Sequence, residues 1–275
     1  MLNDCFDRKL IHINKLIYYN LSIYFMLSPI VFLHIPKTAG TTFLFLLREI
    51  GERNNVYYKR YDRPGILANF TVKDFITERD IGIYGGHYVF SDECKNFDLF
   101  TLVRDVHKTF FSNIYYQYFH VFLQRNLNKE NIHTIKKNID LNLRLKESDE
   151  SIINDLIKKN MITSNPFTKT FAGIPYEKYF YVEDDYKITK TDYKMAVDNI
   201  KYFKLIGNSD SMETFVNKFL SLYGFNLKQY THQRVASYDR NFIDLMVKKF
   251  YHQIINYNDI LLMNEIEKNN NKVLP

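Results

Sequence analysis

The chain is poor in the residues that cross-link or interrupt a fold. Its 275 residues include two cysteines, six prolines, nine glycines and no tryptophan. Two cysteines, Cys5 and Cys94, do not make the disulfide framework of a small secreted domain, so a reducing, cytoplasmic compartment is the simpler expectation. No group of cysteines and histidines has the spacing of metal ligands, and we therefore expect no metal.

Linkers and repeats are missing too, since no stretch is rich in Pro, Gly or Ser and no segment recurs. A chain of this length is sufficient for one large domain, so we expect a single domain over residues 1–275. Residues 1–28 then form an N-terminal extension. The polar, charged segment 126–160 is predicted to be a helical insertion near the functional site. Its basic residues suit an anionic ligand, and a solvated face is the ordinary interpretation of any single one of them.

The sequence lacks an apolar segment that is free to cross a membrane. Residues 16–33 are apolar and aromatic, but they include Asn20 and Pro29, and their last residues are needed for a buried strand. Because a spanning helix takes about 20 apolar residues of its own, we expect no transmembrane span. No small-residue cleavage site follows, which argues against a signal peptide. Peripheral membrane association and the oligomeric state stay open.

The charge is moderately basic, at +6, with 37 Lys and Arg against 31 Asp and Glu. A basic balance suits an anionic ligand or substrate. It also suits nucleic acid, but no zinc-finger spacing, RNP-like motif or basic-region pattern is present, so we expect no nucleic-acid partner.

The most informative stretch is Val31–Thr42, VFLHIPKTAGTT. A short apolar run is followed by a small-residue turn with one lysine, Lys37, and then by an apolar helical stretch. A strand, a tight turn and a helix start create an anion cradle, because backbone N–H groups and the helix dipole converge there and the lysine adds a full charge. Thr41 and Thr42 suit the helix start, where a hydroxyl caps free N–H groups or binds a phosphate oxygen.

The lysine precedes Gly40 by three residues, whereas in a Walker loop it follows the last glycine. HIPKTAGTT instead resembles the 5′-phosphosulfate loop of sulfotransferases, in particular the family of the heparan sulfate 2-O-sulfotransferases and their bacterial relatives. The resemblance implies that Lys37 and the loop residues Thr38, Ala39, Gly40, Thr41 and Thr42 bind the donor 3′-phosphoadenosine 5′-phosphosulfate (PAPS).

A second segment of the same family resemblance is Asp98–Tyr118, where Arg104 ends a buried strand and Ser112 follows eight residues later. In sulfotransferases an arginine and a serine at this spacing bind the 3′-phosphate of the donor. The chemistry fits, since the planar guanidinium matches phosphate oxygens and a serine adds a hydroxyl bond. Without the loop, the ordinary interpretation would be an arginine paired with a carboxylate.

A third segment is Ile81–Phe90, in which Gly85 and Gly86 precede His87. The resembling family has a Gly-His pair here, and its histidine is the catalytic base, a task that suits a side chain that titrates near neutral pH. The heparan sulfate enzymes carry His-Gly-His, so only the second histidine is kept, which leaves the acceptor open. The two glycines are expected to let the backbone approach the substrate.

Weaker resemblance continues through Asn165–Gly173 and Phe203–Phe215, and Arg234, in a late basic loop, is a further donor-binding candidate. Strands are predicted at Ile30–Leu33, Val56–Tyr58, Ile81–Tyr84, Leu99–Val103 and Phe203–Ile206. Helices are predicted at Thr41–Ile50, Val106–Gln124, Asp149–Lys159, Thr191–Lys201, Ser211–Tyr223 and Asn241–Glu267, with Ser209 or Asp210 as a cap and Gly224 as a stop.

Alternating strands and helices predict an α/β fold, a P-loop-like parallel sheet with helices on both faces, as in sulfotransferases. Lys37, His87 and Arg104 each follow a predicted strand, so one crevice is expected to hold all three. The predicted function is transfer of a sulfuryl group from PAPS to a carbohydrate hydroxyl, with Lys37 and His87 as catalytic residues. Two alternatives stay open: a P-loop kinase or NTPase with Asp105 on magnesium, and a non-catalytic nucleotide- or glycan-binding module.

Overall fold

The structure, a computed structural model, describes residues 28–61, 82–116, 151, 165–174, 188–227, 243–248 and 257–269. Within these ranges five strands form one sheet in the order β2-β3-β1-β4-β5, and every neighbouring pair is parallel. The strands are β1 (Ile30–Leu33), β2 (Tyr58–Tyr61), β3 (Ile83–Gly86), β4 (Asp98–Val103) and β5 (Phe203–Asn208). The expected α/β class with a parallel sheet is confirmed.

Helices cover both faces of this sheet. Apolar side chains of α1 and α5 form a core on one face, and those of α3, α4 and α6 form a core on the other. The helices are α1 (Gly40–Asn54), α2 (Val106–Tyr116), α3 (Pro166–Ala172), α4 (Lys190–Ile200), α5 (Met212–Tyr223) and α6 (Tyr257–Lys268). Residues 243–248 are also helical.

Strand β1 occupies the centre of the sheet and contributes to both cores. Val31 and Leu33 face one core, Ile30 and Phe32 face the other, and all four are fully buried. A strand buried on both faces is a continuous apolar run in sequence, which explains why its bounds were predicted correctly. The loop that follows β1 therefore begins at the middle of the row of carboxyl-terminal strand ends.

Glycines allow two helices to lie close to the strands beneath them. A Cβ on Gly85 would lie 2.3 Å from Leu44 Cδ2 of α1, and one on Gly207 would lie 2.1 Å from Phe215 Cδ2 of α5. Gly85 thus makes room for a helix, which explains this glycine without a substrate, and the approach of the backbone to a substrate stays a prediction.

Some predicted bounds differ from the structure for local reasons. Asn55 ends α1 in the left-handed region (φ 54°) and Val56 N donates to Gly51 O, so β2 begins at Tyr58 and not at Val56. Gly224 (φ 63°) ends α5 as predicted.

At the start of α5, residues Ser209–Ser211 form a 3-10 turn in which Asn208 Oδ1 accepts from Asp210 N, so neither Ser209 nor Asp210 caps the helix. The N-terminal extension up to residue 27, the insertion 126–160 apart from residue 151, the rest of the predicted helix Asp149–Lys159 and Arg234 lie outside the described residues.

Candidate functional site

The register of the sheet places the ends of three strands side by side. Leu33, the last residue of β1, is paired with Gly86 of β3 on one side and with Thr101 of β4 on the other. Thr101 Oγ1 also donates to Leu33 O at 2.7 Å. Because ligands of open parallel sheets bind beyond the carboxyl ends of the strands, the segments that follow β1, β3 and β4 make up the candidate site.

The loop between β1 and α1, residues 34–39, has an unusual backbone. Lys37 (φ 69°) and Ala39 (φ 61°) both lie in the left-handed region, which costs a non-glycine residue roughly 1–2 kcal/mol. Thr38 is fully buried, and its hydroxyl donates to Ile35 O at 2.8 Å. Strained backbone is often found at ligand-binding sites, although the left-handed Asn55 in this chain simply ends α1.

The first turn of α1 has no acidic residue to balance the positive end of the helix dipole. The N-cap of α1 is Ala39, which makes no side-chain hydrogen bond. Thr42 N donates to Ala39 O at 3.1 Å, so neither Thr41 nor Thr42 is the N-cap, although Thr41 is exposed. The positive end of the helix dipole and the half-buried Lys37 are therefore adjacent in the chain.

His87 follows β3 directly and is half-buried beside His34, which follows β1. His87 Nδ1 lies 2.8 Å from His34 O. A carbonyl oxygen only accepts hydrogen bonds, so Nδ1 carries the proton and, in the neutral ring, Nε2 carries the lone pair. His87 is thus held in the tautomer that lets Nε2 accept a proton from a substrate.

Arg104 follows β4, the neighbour of β1 on the side away from β3, and is half-buried. Asp105 comes next and begins α2, where its Oδ1 accepts from Lys108 N at 2.8 Å and its carbonyl accepts from Thr109 N at 2.9 Å. The Asp105 carboxylate is therefore the cap of α2. Ser112 is half-buried on the same helix.

The structure brings the three predicted residues to adjacent strand ends: Lys37 after β1, His87 after β3 and Arg104 after β4. Sequence reasoning missed His34, which it read only as the end of the apolar run. The available signal was a histidine that directly follows a fully buried strand and precedes the lysine turn.

A second polar cluster lies inside the protein, between α3 and α6. Asp259 of α6 is fully buried, and its carboxylate accepts from Phe167 N (3.1 Å), Thr168 N (2.7 Å) and Thr168 Oγ1 (2.7 Å) at the start of α3. Asn165 Oδ1 accepts from Asp259 N at 3.1 Å.

Burial raises the pKa of Asp259 to about 6, against the hydrogen bonds from Thr168 and Phe167 and the charge of Lys169, which lower it. Lys169 of α3 is also buried, which lowers its pKa to about 8, although the charge of Asp259 opposes this.

Comparison with protein-family models and with curated proteins returned no match. Among the described helices, none combines the length and the apolar character needed to cross a membrane. Among the described residues, no three His, Cys, Asp or Glu side chains are grouped so that they could hold a metal ion, and a metal-independent reaction stays a prediction.

Proposed function

We propose that the chain is a sulfotransferase that moves a sulfuryl group from PAPS to a carbohydrate hydroxyl. The observation that carries the proposal is the β1–α1 loop. It holds Lys37 between a buried strand and a helix start whose N-cap residue, Ala39, makes no side-chain hydrogen bond. The loop has two non-glycine residues in the left-handed region, and His87 follows the neighbouring strand β3. A phosphosulfate needs such a cradle of backbone N–H groups and positive charge.

In this proposal the donor lies across the ends of β1 and β4. Its 5′-phosphosulfate binds the N–H groups of Thr38–Thr42 and the ammonium of Lys37. Its 3′-phosphate binds Arg104 and Ser112, and Arg234 is a further candidate for contact with the nucleotide. Arg104 follows the strand next to β1, so one donor that spans two neighbouring strand ends meets both groups.

The transfer is a single in-line displacement at sulfur. The acceptor O–H gives its proton to Nε2 of His87 as the oxygen lone pair attacks sulfur. The bond from sulfur to the bridging phosphate oxygen breaks, and its electron pair stays on that oxygen, which leaves as 3′-phosphoadenosine 5′-phosphate (PAP). Lys37 and the loop N–H groups stabilise the negative charge that develops there, so catalysis is positioning plus electrostatics.

The acceptor approaches from the β3 side, because the base that takes its proton follows β3. The basic net charge of +6 suits an acidic saccharide. We also propose a cytoplasmic location, as expected for a chain whose two cysteines make no disulfide framework.

A transfer assay tests the proposal. Purified protein is incubated with PAPS and a panel of neutral and acidic oligosaccharides in EDTA, and PAP release and acceptor mass are followed. We expect acceptor-dependent PAP release, a mass gain of one sulfuryl group and loss of both in His87→Ala.

The rivals give different results in the same assay. A kinase or NTPase would consume ATP only with magnesium, and a binding module would retain PAPS without turnover. The capping role of Asp105 already gives its carboxylate a task other than holding magnesium. Magnesium-dependent ATP turnover without PAPS turnover would overturn the proposal.

A further inference from the structure

His34 contacts two parts of the candidate site, His87 after β3 and Gly40 at the start of α1. The pairing of Leu33 with Gly86 puts the next residues, His34 and His87, side by side, and His34 N donates to Gly86 O at 2.7 Å. Their rings stack with centroids 4.1 Å apart and an interplanar angle of 20°. His34 is only 4% exposed, so its ring is part of the interior and forms a fixed surface for the His87 ring.

The same ring lies against the first residue of α1. A Cβ on Gly40 would lie 2.0 Å from His34 Cδ2 and 2.5 Å from Nε2, far inside contact distance. Gly40 is therefore glycine because the His34 ring occupies the space that a side chain would need. The ring of Phe32, 6.1 Å away between centroids, stacks near His34 from within the core.

Through these contacts the His34 ring lies between the β1–α1 loop and His87. The contact of Gly40 with the His34 ring determines how far the start of α1 lies from the end of β1. The stacking contact, together with the hydrogen bond from His87 Nδ1 to His34 O, sets the plane and direction of the His87 ring. In a direct displacement, the leaving oxygen, the sulfur and the proton acceptor must each lie within about 0.5 Å of their productive positions.

We propose that His34 is a positioning residue that couples the phosphosulfate loop to His87 by packing its ring between Gly40 and the His87 imidazole. The proposal rests on the function proposed above, but its structural core, the coupling of the ring to His87 and to Gly40, does not. His34 touches neither donor nor acceptor in this role, and its effect passes through His87.

The first test follows the His87 ring in the free protein by ¹⁵N–¹H NMR of the imidazoles, with His87→Gln to assign the signals. In the wild-type protein we expect the Nδ1-protonated tautomer and ring protons shifted by the stacked neighbour. In His34→Ala the backbone carbonyl still accepts from His87 Nδ1, so the tautomer is kept, but the ring-current shift is lost and the His87 ring protons average over several orientations. An unchanged His87 spectrum in His34→Ala overturns the proposal whether or not the protein binds PAPS.

The second test is kinetic. We expect His34→Ala to lower kcat by about 10–100-fold, the scale of a misplaced reacting group, while the Kd of PAP changes less than about threefold. Thr101→Val is the matched control, because it removes a buried hydrogen bond to the neighbouring carbonyl of Leu33 without touching His87. It lowers stability but leaves kcat near the wild-type value. A wild-type kcat in folded His34→Ala contradicts the proposal.

Gly40→Ala perturbs the same His34 ring from the side of the loop. It tests the proposal even if His34→Ala folds poorly. The added Cβ points at the His34 ring, so it displaces the ring and lowers kcat. In the double variant with His34→Ala the clash is gone, and Gly40→Ala adds no more than about a twofold loss. Losses in the two single variants that simply multiply would show that the ring does not connect loop and base.

Had PAPS binding and turnover failed already in the wild-type protein, the proposed function would be wrong. The NMR result would still decide whether His34 holds His87.

Discussion

Helices α1 and α3 both begin after a non-glycine residue in the left-handed region, Ala39 (φ 61°) and Asn165 (φ 52°). The start of α3 is completed from inside the protein, since the buried carboxylate of Asp259 accepts from two of its N–H groups. The start of α1 has no acidic residue in its first turn and is preceded by Lys37. One helix start holds an internal anion, and in the proposed function the other binds the anionic donor.

Under the proposed function, the same local geometry contributes to stability at α3 and to binding at α1. An internal carboxylate is bound permanently, at the cost of burial that raises its pKa. An external anion leaves the helix start available when it departs. Changes at α3 should therefore alter stability, and changes around α1 should alter binding and turnover.

The largest effect is expected at the base. His87→Ala removes the proton acceptor and should lower turnover about 10²–10⁴-fold, because a general base contributes on that scale. The affinity for PAP and the free energy of unfolding should stay close to the wild-type values. Steady-state kinetics and calorimetry check this, and normal turnover in the variant would remove His87 from the mechanism.

The matching change at α3 is Asp259→Ala. It leaves the N–H groups of Phe167 and Thr168 without their buried acceptor and should lower the free energy of unfolding by about 2–4 kcal/mol. Urea unfolding measures the loss. Asp210→Ala, which removes an exposed ion pair with Lys108, is the control and should cost less than about 1 kcal/mol. Equal losses in the two variants would show that the buried Asp259 carboxylate stabilises the start of α3 no more than an exposed ion pair does.

The buried pair also predicts a pH dependence. The pKa of Asp259 is about 6 in the folded chain and has an ordinary value of 3.8, so the folded state binds this proton more tightly and stability falls as the pH rises from about 4 to 6. The pKa of Lys169 is about 8 against an ordinary 10.5, so stability rises again as the pH rises from about 8 to 10.

The fall in stability between pH 4 and 6 (the acid limb) and the rise between pH 8 and 10 (the alkaline limb) should each amount to about 1–3 kcal/mol, since one pKa unit corresponds to about 1.4 kcal/mol. Free energies of unfolding measured from pH 4 to 10 should therefore pass through a minimum between about 6 and 8. Asp259→Asn should flatten the acid limb and Lys169→Met the alkaline limb. An acid limb that keeps its slope in Asp259→Asn would show that another group is responsible.

The smallest effect concerns the two left-handed residues. Alanine is disfavoured in this region more than asparagine, so Ala39→Gly should raise the free energy of unfolding by about 0.5–1 kcal/mol. Asn165→Gly should bring no gain, because the Asn165 side chain accepts from Asp259 N. Thermal unfolding of both variants checks this, and a stability loss in Ala39→Gly would argue against the strained loop.

The sequence predicted the parts of this fold that follow from apolar patterning. Strand β1 and the alternation of strands with helices depend on buried runs and amphipathic spacing, and the prediction that Lys37, His87 and Arg104 each follow a strand came from them. The order β3-β1-β4, which makes these strands neighbours, was not predicted. The stacking of His34 on His87 was not predictable, because it depends on the register of Leu33 with Gly86.

The same limit applies to long-range caps and to close packing. Asp259 lies 91 residues from Thr168 in the chain, and nothing local marks it as the cap of α3. Gly85 and Gly86 come before His87, so both glycines were expected to let the backbone approach a substrate. The neighbour of Gly85 is Leu44, a contact that only the packing of α1 on β3 creates.

The most direct measurement is calorimetry of PAP against AMP, without magnesium, for the wild-type protein, Arg104→Ala and Lys204→Ala. Lys204 lies near the start of β5, toward the amino ends of the strands and away from the carboxyl ends that Arg104 follows, and it controls for the lost charge. We predict that the wild-type protein and Lys204→Ala bind PAP about 100-fold more tightly than AMP, and that Arg104→Ala loses this preference, as expected for a charged hydrogen-bond partner. Equal affinity for PAP and AMP in the wild-type protein would contradict the assignment of the donor site.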